Sequence, residues 1–208
     1  MLKRDFYDRP ALDVARELIG LHLVRVLPEG RVAGRIVETE AYVGPQDLAC
    51  HAARGRTART EVMFGPPGHA YIYFIYGMHW CLNLVTERDG FPAAVLLRAV
   101  EPTEGIELMR ARRPKARKDV QLTSGPSRLC AAFGIDGSLN GADLCRPGSV
   151  LYVEDRGDPR STIVAAPRIG VDYAGEWAAK PFRFYEDESA YVSVRLAKRR
   201  RGTAIRNP

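Results

Sequence analysis

The 208-residue sequence has only four cysteines, Cys50, Cys81, Cys130 and Cys145, and no C-x-x-C pair. That spacing argues against a zinc site or a disulfide framework, and isolated thiols suit a reducing compartment. No run approaches about 18 apolar residues, and the start MLKRDFYDRP lacks the apolar core of a signal peptide. The expectation is a soluble intracellular protein, cytoplasmic or nucleoid-associated in a bacterium and nuclear in a eukaryote, and not secreted. The sequence also lacks a G-x-G-x-x-G run, a Walker loop and an H-x-E with P-C-x-x-C. These absences remove nucleotide-cofactor and zinc-deaminase readings. Repeats and low-complexity blocks are missing too. One domain over residues 1–208 fits the length, with residues 1–4 and 197–208 expected to be flexible ends.

Lysine is scarce. It supplies 5 of the 31 basic residues and arginine the other 26. Against 25 acidic residues this leaves a net charge of +6 and a pI near 9.3. The excess points to an anionic partner and is too small for a histone-like tail. The arginine bias has two readings: a GC-rich genome, or phosphate recognition through the bidentate guanidinium fork.

Asp8 and Pro10 suit the start of a helix with Leu12, Ala15, Leu18 and Ile19 on its apolar face, ended by Gly20. Residues 21–27 and 31–43 read as a β-hairpin around Pro28-Glu29-Gly30. Residues 44–68 form a polar loop longer than a compact domain carries without reason. Strands are expected at 70–76, 79–85, 92–100, 150–154, 163–171 and 191–196. A helix over 103–113 runs into the basic stretch 110–118, which is expected to be mobile. Ser124 is read as the cap of a short helix that Gly134 stops. Without a βαβ rhythm, the class is α+β with a largely antiparallel sheet.

Four features are out of place in a purely structural chain. Glu38 and Glu40 share one strand face, either as solvated decoration or as working carboxylates. Arg98 lies inside AAVLLRAV, where a buried guanidinium needs a partner. That partner makes it a structural ion pair, or it is Glu40, held ionised and oriented. YIYFIYGMHW, with Tyr71, Tyr73, Phe74, Tyr76 and Trp80, is a packed aromatic core or a stacking surface. Tyr76 at the hairpin tip has little to pack on unless it wedges between bases. Arg54, Arg56 and Arg59 form a solvated face or a basic rim near Glu40. Together the four describe a pocket for a nucleobase.

The runs RIVETEAYVGPQDLACHAARGRT, YIYFIYGMHWCLN, AVLLRAVEPTEGIELMR, LTSGPSRLC and RIGVDYAGEWAAKPFRFY resemble the mammalian-type 3-methyladenine (alkyladenine) DNA glycosylase family, in order, from about residue 5 to residue 196. The resemblance implies a single α+β domain with a curved, largely antiparallel sheet, surrounding helices and a protruding DNA-intercalating hairpin. It implies that Glu40 is the catalytic carboxylate, helped by Arg98 and the backbone of Val171 to hold the attacking water. Tyr42, His51 and Tyr73 would form the base pocket, Asn83 would exclude the guanine amino group, and Tyr76 would intercalate. Glu38 has no catalytic counterpart. The implied partner is double-stranded DNA containing damaged purines, met by a monomer with no metal, no cofactor and no membrane. Alkylated or deaminated purines (3-methyladenine, 7-methylguanine, hypoxanthine, ethenoadenine) would be hydrolysed off, without lyase activity. The loop between Asn83 and Arg98 departs from the family in length, and Phe91-Pro92 is expected to reshape one pocket wall. His79 stands beside Trp80 where the family suggests an aromatic pair. Two rivals remain: a metal-dependent nuclease using Glu38, Glu40, Asp47 and His51, and a non-catalytic DNA-lesion-binding module.

Overall fold

Alternation along the strands gives this chain a sheet with two unlike faces. The computed structural model describes residues 1–159 and 161–196, so the basic end at 197–208 lies outside the described residues. Helices α1 (Arg4–Tyr7), α2 (Ala11–Glu17), α3 (Ile106–Arg112), α4 (Val120–Thr123) and α5 (Pro126–Phe133) accompany eight strands. These are β1 (His22–Leu27), β2 (Gly30–Tyr42), β3 (Ala70–Ile75), β4 (His79–Thr86), β5 (Ala93–Glu104), β6 (Leu151–Glu154), β7 (Ile163–Ala166) and β8 (Arg183–Glu186). The sheet runs β3-β4-β5-β2-β1-β6, and β8 joins β2 and carries β7. Every pairing is antiparallel. The α+β class expected from the sequence is the one observed.

One face of the sheet carries the apolar core. Ile72, Leu82, Leu84, Val95 and Leu97 pack with Val14 and Leu18 of α2, Met109 of α3, and Leu129 and Phe133 of α5. Period-two alternation sends Tyr71, Tyr73, Cys81, Asn83, Leu96 and Arg98 to the opposite face. Register then aligns Glu40 with Leu96, Leu96 with Asn83, and Asn83 with Tyr71 in one row across four strands. That row is the floor of the site.

Several boundaries differ from the sequence reading. Asp8 closes α1, and α2 starts after Pro10, whose preset φ suits a helix entry. Thr103 and Glu104 belong to β5, because α3 begins only after a left-handed Gly105 with φ +67°. Gly125 precedes α5, while Ser124 ends α4. The long loop holds two short 3-10 turns, His51–Arg54 and Glu61–Phe64. Pro167, which has no N–H to donate, follows the end of β7 at Ala166. Residues 191–196 are not a strand. Buried side chains take their backbone groups instead: Ser193 N donates to Glu38 and Val194 O accepts from Arg183.

The basic stretch 110–118 is also not loose. Arg110 pairs with Glu107 and Asp119, Arg112 pairs with Glu29, and the Gln121 side chain accepts the Arg117 and Lys118 amides. Residues 2–4, expected to be a flexible end, are held by Leu2 N on Val153 O at 2.7 Å and by Arg4 on Asp143 at 2.7 Å. No helix among the described residues is long and apolar enough to cross a membrane.

A Cβ on Gly105 would stand 2.3 Å from Arg31 O and 2.8 Å from a Val32 methyl. Gly105→Ala is therefore expected to cost about 2–5 kcal/mol, the sum of left-handed strain and overpacking. Urea unfolding measures it, and a midpoint equal to that of wild type would contradict the reading.

Candidate active site

The polar face of the sheet, closed by loops, forms a cavity of about 360 Å³ lined by Glu40, Tyr42, His51, Tyr71, Tyr73, Tyr76, Asn83, Arg98 and Val171, among others. Every residue assigned to the site from the sequence therefore meets at one place. The size and aromatic lining are those of a small-molecule or base pocket.

Glu40 sits on the floor and its side chain is fully buried. Its Oε1 accepts the Ile169 amide at 2.8 Å and lies 3.2 Å from an Arg98 Nη1; its Oε2 accepts the Tyr42 hydroxyl at 2.9 Å. A carboxylate accepting from several donors is fixed in one orientation. Arg98 owes its place to the sheet register. Glu38 pairs with Ala99 and Thr39 with Leu97, so Arg98 is skipped in the ladder, at an irregularity balanced by the skipping of Val37 on β2. From there its Nε donates to Glu38 Oε1 at 2.9 Å while Nη1 faces Glu40. Burial works against the Arg98 charge, but Glu40 and Glu38 more than offset it, and its pKa is raised. The Arg98–Glu40 pairing considered from the sequence is present, and Glu38 is a second partner.

The walls are aromatic. His51 heads the short turn after Cys50, and its Nδ1 lies 2.8 Å from the Tyr71 hydroxyl. Its ring meets that of Tyr73 edge-on, with centroids 4.5 Å apart. Burial, with Arg59 and Arg54 nearby, pushes the His51 pKa down to about 4, so the ring is neutral at pH 7. Burial, with the Glu40 charge beside it, raises the Tyr42 phenol well above its ordinary value. Tyr42 thus stays a hydrogen-bond donor. Asn83 is buried and donates through Nδ2 to Tyr71 O at 3.1 Å.

Tyr76 stands at the hairpin tip, 83% exposed, with φ +54°. A non-glycine residue in the left-handed region is strained unless something favours it there. The outer face of the same hairpin stacks Phe74 on Trp80 at 4.5 Å, so His79 alone of the His79-Trp80 pair lines the cavity. Of the arginine trio, Arg59 lies over the Tyr73 ring at 5.2 Å, whereas Arg56 turns away to Glu61 at 2.6 Å. Phe91 does not shape the cavity as expected. It packs on the core, tight against Gly44.

Sequence reasoning missed the group behind Tyr42. Arg168 is fully buried, binds Asp47 through two contacts of 2.5 and 2.8 Å, donates to Ala41 O, and stacks at 4.8 Å on the Tyr42 ring. This clamp holds the loop that supplies the Ile169 amide to Glu40. Its signal was a lone charge in APRIGV, the same signal that singled out Arg98. The Ile169 contact is through backbone and has no side-chain signature. Val171 lines the cavity, and its carbonyl accepts the Ala174 amide at 2.9 Å. The nuclease reading fails on the same geometry, because arginines already neutralise Glu38, Glu40 and Asp47. Among the described residues no group of three or more His, Cys, Asp and Glu could hold a metal ion.

Aromatic walls, a buried carboxylate on the floor and an exposed aromatic at the rim make a cavity with the shape and lining for a flat ring. The comparisons name the kind. The model of the methylpurine-DNA glycosylase family matches residues 5–190. A protein of Methanocella arvoryzae, provisionally named a 3-methyladenine DNA glycosylase, is 64% identical over 94% of this chain and 96% of its own length. The human DNA-3-methyladenine glycosylase is 48% identical over 91% of this chain and 67% of its own. A Myxococcus xanthus protein with the same provisional name is 54% identical over 92% and 93%. The chain belongs to the methylpurine-DNA glycosylase family, which places it among the glycosylases of DNA base-excision repair.

Breaking a buried pair by removing one partner typically costs about 3–5 kcal/mol. Asp47→Asn, which strands the Arg168 charge, is expected to lower stability by that amount. Chemical denaturation is the measurement, and a loss below about 1 kcal/mol, the scale of an exposed pair, would refute the clamp.

Proposed function

We propose that this protein flips an alkylated or deaminated purine out of duplex DNA and hydrolyses its N-glycosidic bond, leaving an abasic site. The observation that carries the reading is Glu40: a fully buried carboxylate at the floor of an aromatic cavity, held by two hydrogen-bond donors and an ion pair with Arg98. Tyr42, His51 and Tyr73 would stack and frame the extruded base, and Tyr76 would fill the gap left in the helix. A water held by Glu40, Arg98 and the Val171 backbone would add to C1′. The C1′–N bond breaks with its electron pair going to the base, and the water's proton goes to Glu40. The same anion offsets the oxocarbenium charge in the transition state.

3-Methyladenine and 7-methylguanine carry a positive charge and leave without an acid. Hypoxanthine and ethenoadenine are neutral and need a proton on a ring nitrogen first. Asn83 would crowd the 2-amino group of guanine, and the His51 backbone amide would reject the adenine amino group. Unpaired buried polar groups discriminate in this way far more strongly than a missing methyl does. Strand cleavage is not part of the reading, since a lyase needs an amine for a Schiff base and no lysine lines the cavity among the described residues. The partner is double-stranded DNA with damaged purines, met by a monomer without cofactor or metal. The start of α5, where Pro126 and Ser127 reach the cavity, and the arginines of the rim would meet phosphates. Such an enzyme works where the DNA is, in the cytoplasm of a bacterium or archaeon or in a nucleus.

Duplexes carrying single defined lesions, incubated with the protein and then cleaved with alkali, test the reading directly. Release of 7-methylguanine by wild type and loss of at least about 100-fold in single-turnover rate in Glu40→Gln, the scale of general-base and electrostatic contributions, are expected. Affinity for the lesion duplex should be retained. A variant within tenfold of wild type would remove Glu40 from the chemistry.

Tyr76→Ala is expected to weaken binding of an ethenoadenine duplex by about 1–3 kcal/mol, the worth of one base–aromatic stack. Stopped-flow fluorescence reports the flipping equilibrium. An unchanged equilibrium would leave the tyrosine without a role in flipping.

A further inference from the structure

Glu38 is as buried as Glu40, yet it is not among the residues that line the cavity. It is nevertheless saturated. Its Oε1 accepts Arg98 Nε at 2.9 Å and Arg183 Nη1 at 3.0 Å, and its Oε2 accepts the Ser193 amide at 2.6 Å. We propose that Glu38 is a positioning residue which fixes the Arg98 guanidinium beside Glu40; the proposal rests on the glycosylase reading above.

The argument is geometric. Arg98 has three nitrogens, and Glu38 and Ser193 take two of them: Nε goes to Glu38, and Nη2 goes to Ser193 Oγ at 3.1 Å. Only Nη1 is left for Glu40, at 3.2 Å. A guanidinium free to rotate would instead form a bidentate pair with Glu40 and occupy the oxygens that a water must reach. Glu38 therefore keeps the Arg98–Glu40 contact single and leaves the Glu40 anion available.

Charge bookkeeping agrees: two carboxylates, Glu38 and Glu40, face two guanidiniums, Arg98 and Arg183, so the buried group is neutral as a whole. The anchor also depends on chain far from the site in sequence. Arg183 Nη1 reaches Val194 O at 2.7 Å, and residues 193–194 close over the pair from behind. The segment after β8 is thereby part of the positioning of the catalytic carboxylate.

The test is single-turnover release of 7-methylguanine by wild type, Glu38→Gln and Ser193→Ala. Lesion-duplex Kd and the DNA-binding active fraction are measured on the same preparations. For Glu38→Gln, a rate constant lowered by about 10–100-fold, the usual effect of removing an outer partner of a catalytic group, is expected with Kd and active fraction unchanged. Equal loss of active fraction and rate would mean a merely structural role and overturn the proposal, as would a rate within threefold of wild type. If Glu38→Gln does not fold, Ser193→Ala decides, because it removes only the Oγ contact and keeps the backbone donor. A fall of about three- to tenfold in rate at constant Kd, one hydrogen bond's worth, supports the proposal, and an unchanged rate overturns it. An inert wild type would overturn the glycosylase reading itself, which separates the two failures.

Discussion

One arginine set between two carboxylates, at an irregularity of the β2–β5 pairing, is the constraint on which the rest of the site depends. Two register shifts around Glu38 cancel, one skipping Val37 on β2 and the other Arg98 on β5, and there Arg98 contacts Glu38 and Glu40 together. An unpaired guanidinium at this depth costs several kcal/mol, so the irregularity, the pair and the closing segment 191–196 are held as one unit. Ladder irregularities such as bulges are common beside active sites because they re-aim a side chain without breaking the sheet.

The sheet can bear this polar face because the other face carries the hydrophobic burial. α2, α3 and α5 cover one side with aliphatic residues, and stability resides there. The opposite side satisfies its charges pairwise, Arg98 with Glu38 and Glu40, and Arg168 with Asp47. Each guanidinium also backs a side chain of the cavity: Arg98 lies beside Glu40, and Arg168 stacks behind Tyr42. The same ion pairs thus hold the fold and line or back the cavity. Substitutions at these arginines would confound folding with activity unless binding and rate are measured apart.

Much was legible in the sequence because the relevant signals were local. Alternation located β1 to β5 and the common side of Tyr71 and Tyr73, and a lone charge in an apolar run marked Arg98 as buried. The resemblance to alkyladenine DNA glycosylases, carried by long ordered runs, named the family that the comparisons show. Less local features were misread. The end of β5 turns on a left-handed glycine, and residues 191–196 look like a strand by alternation but give their backbone bonds to Glu38 and Arg183.

The sequence by itself determined the class, the antiparallel sheet and, through ordered motifs, the family, whose resemblance pointed to the residues that meet in the cavity; periodicity, composition and motif order are properties of the chain alone. Only the tertiary structure decided what holds those residues. The Ile169 amide on Glu40, the Asp47–Arg168 clamp behind Tyr42 and the role of Glu38 join positions more than a hundred residues apart. Such contacts depend on strand register and backbone donors, which leave no periodic or compositional trace. Glu38 read alone is one more carboxylate in a strand. Folded, it is the fixed point against which Arg98 is set.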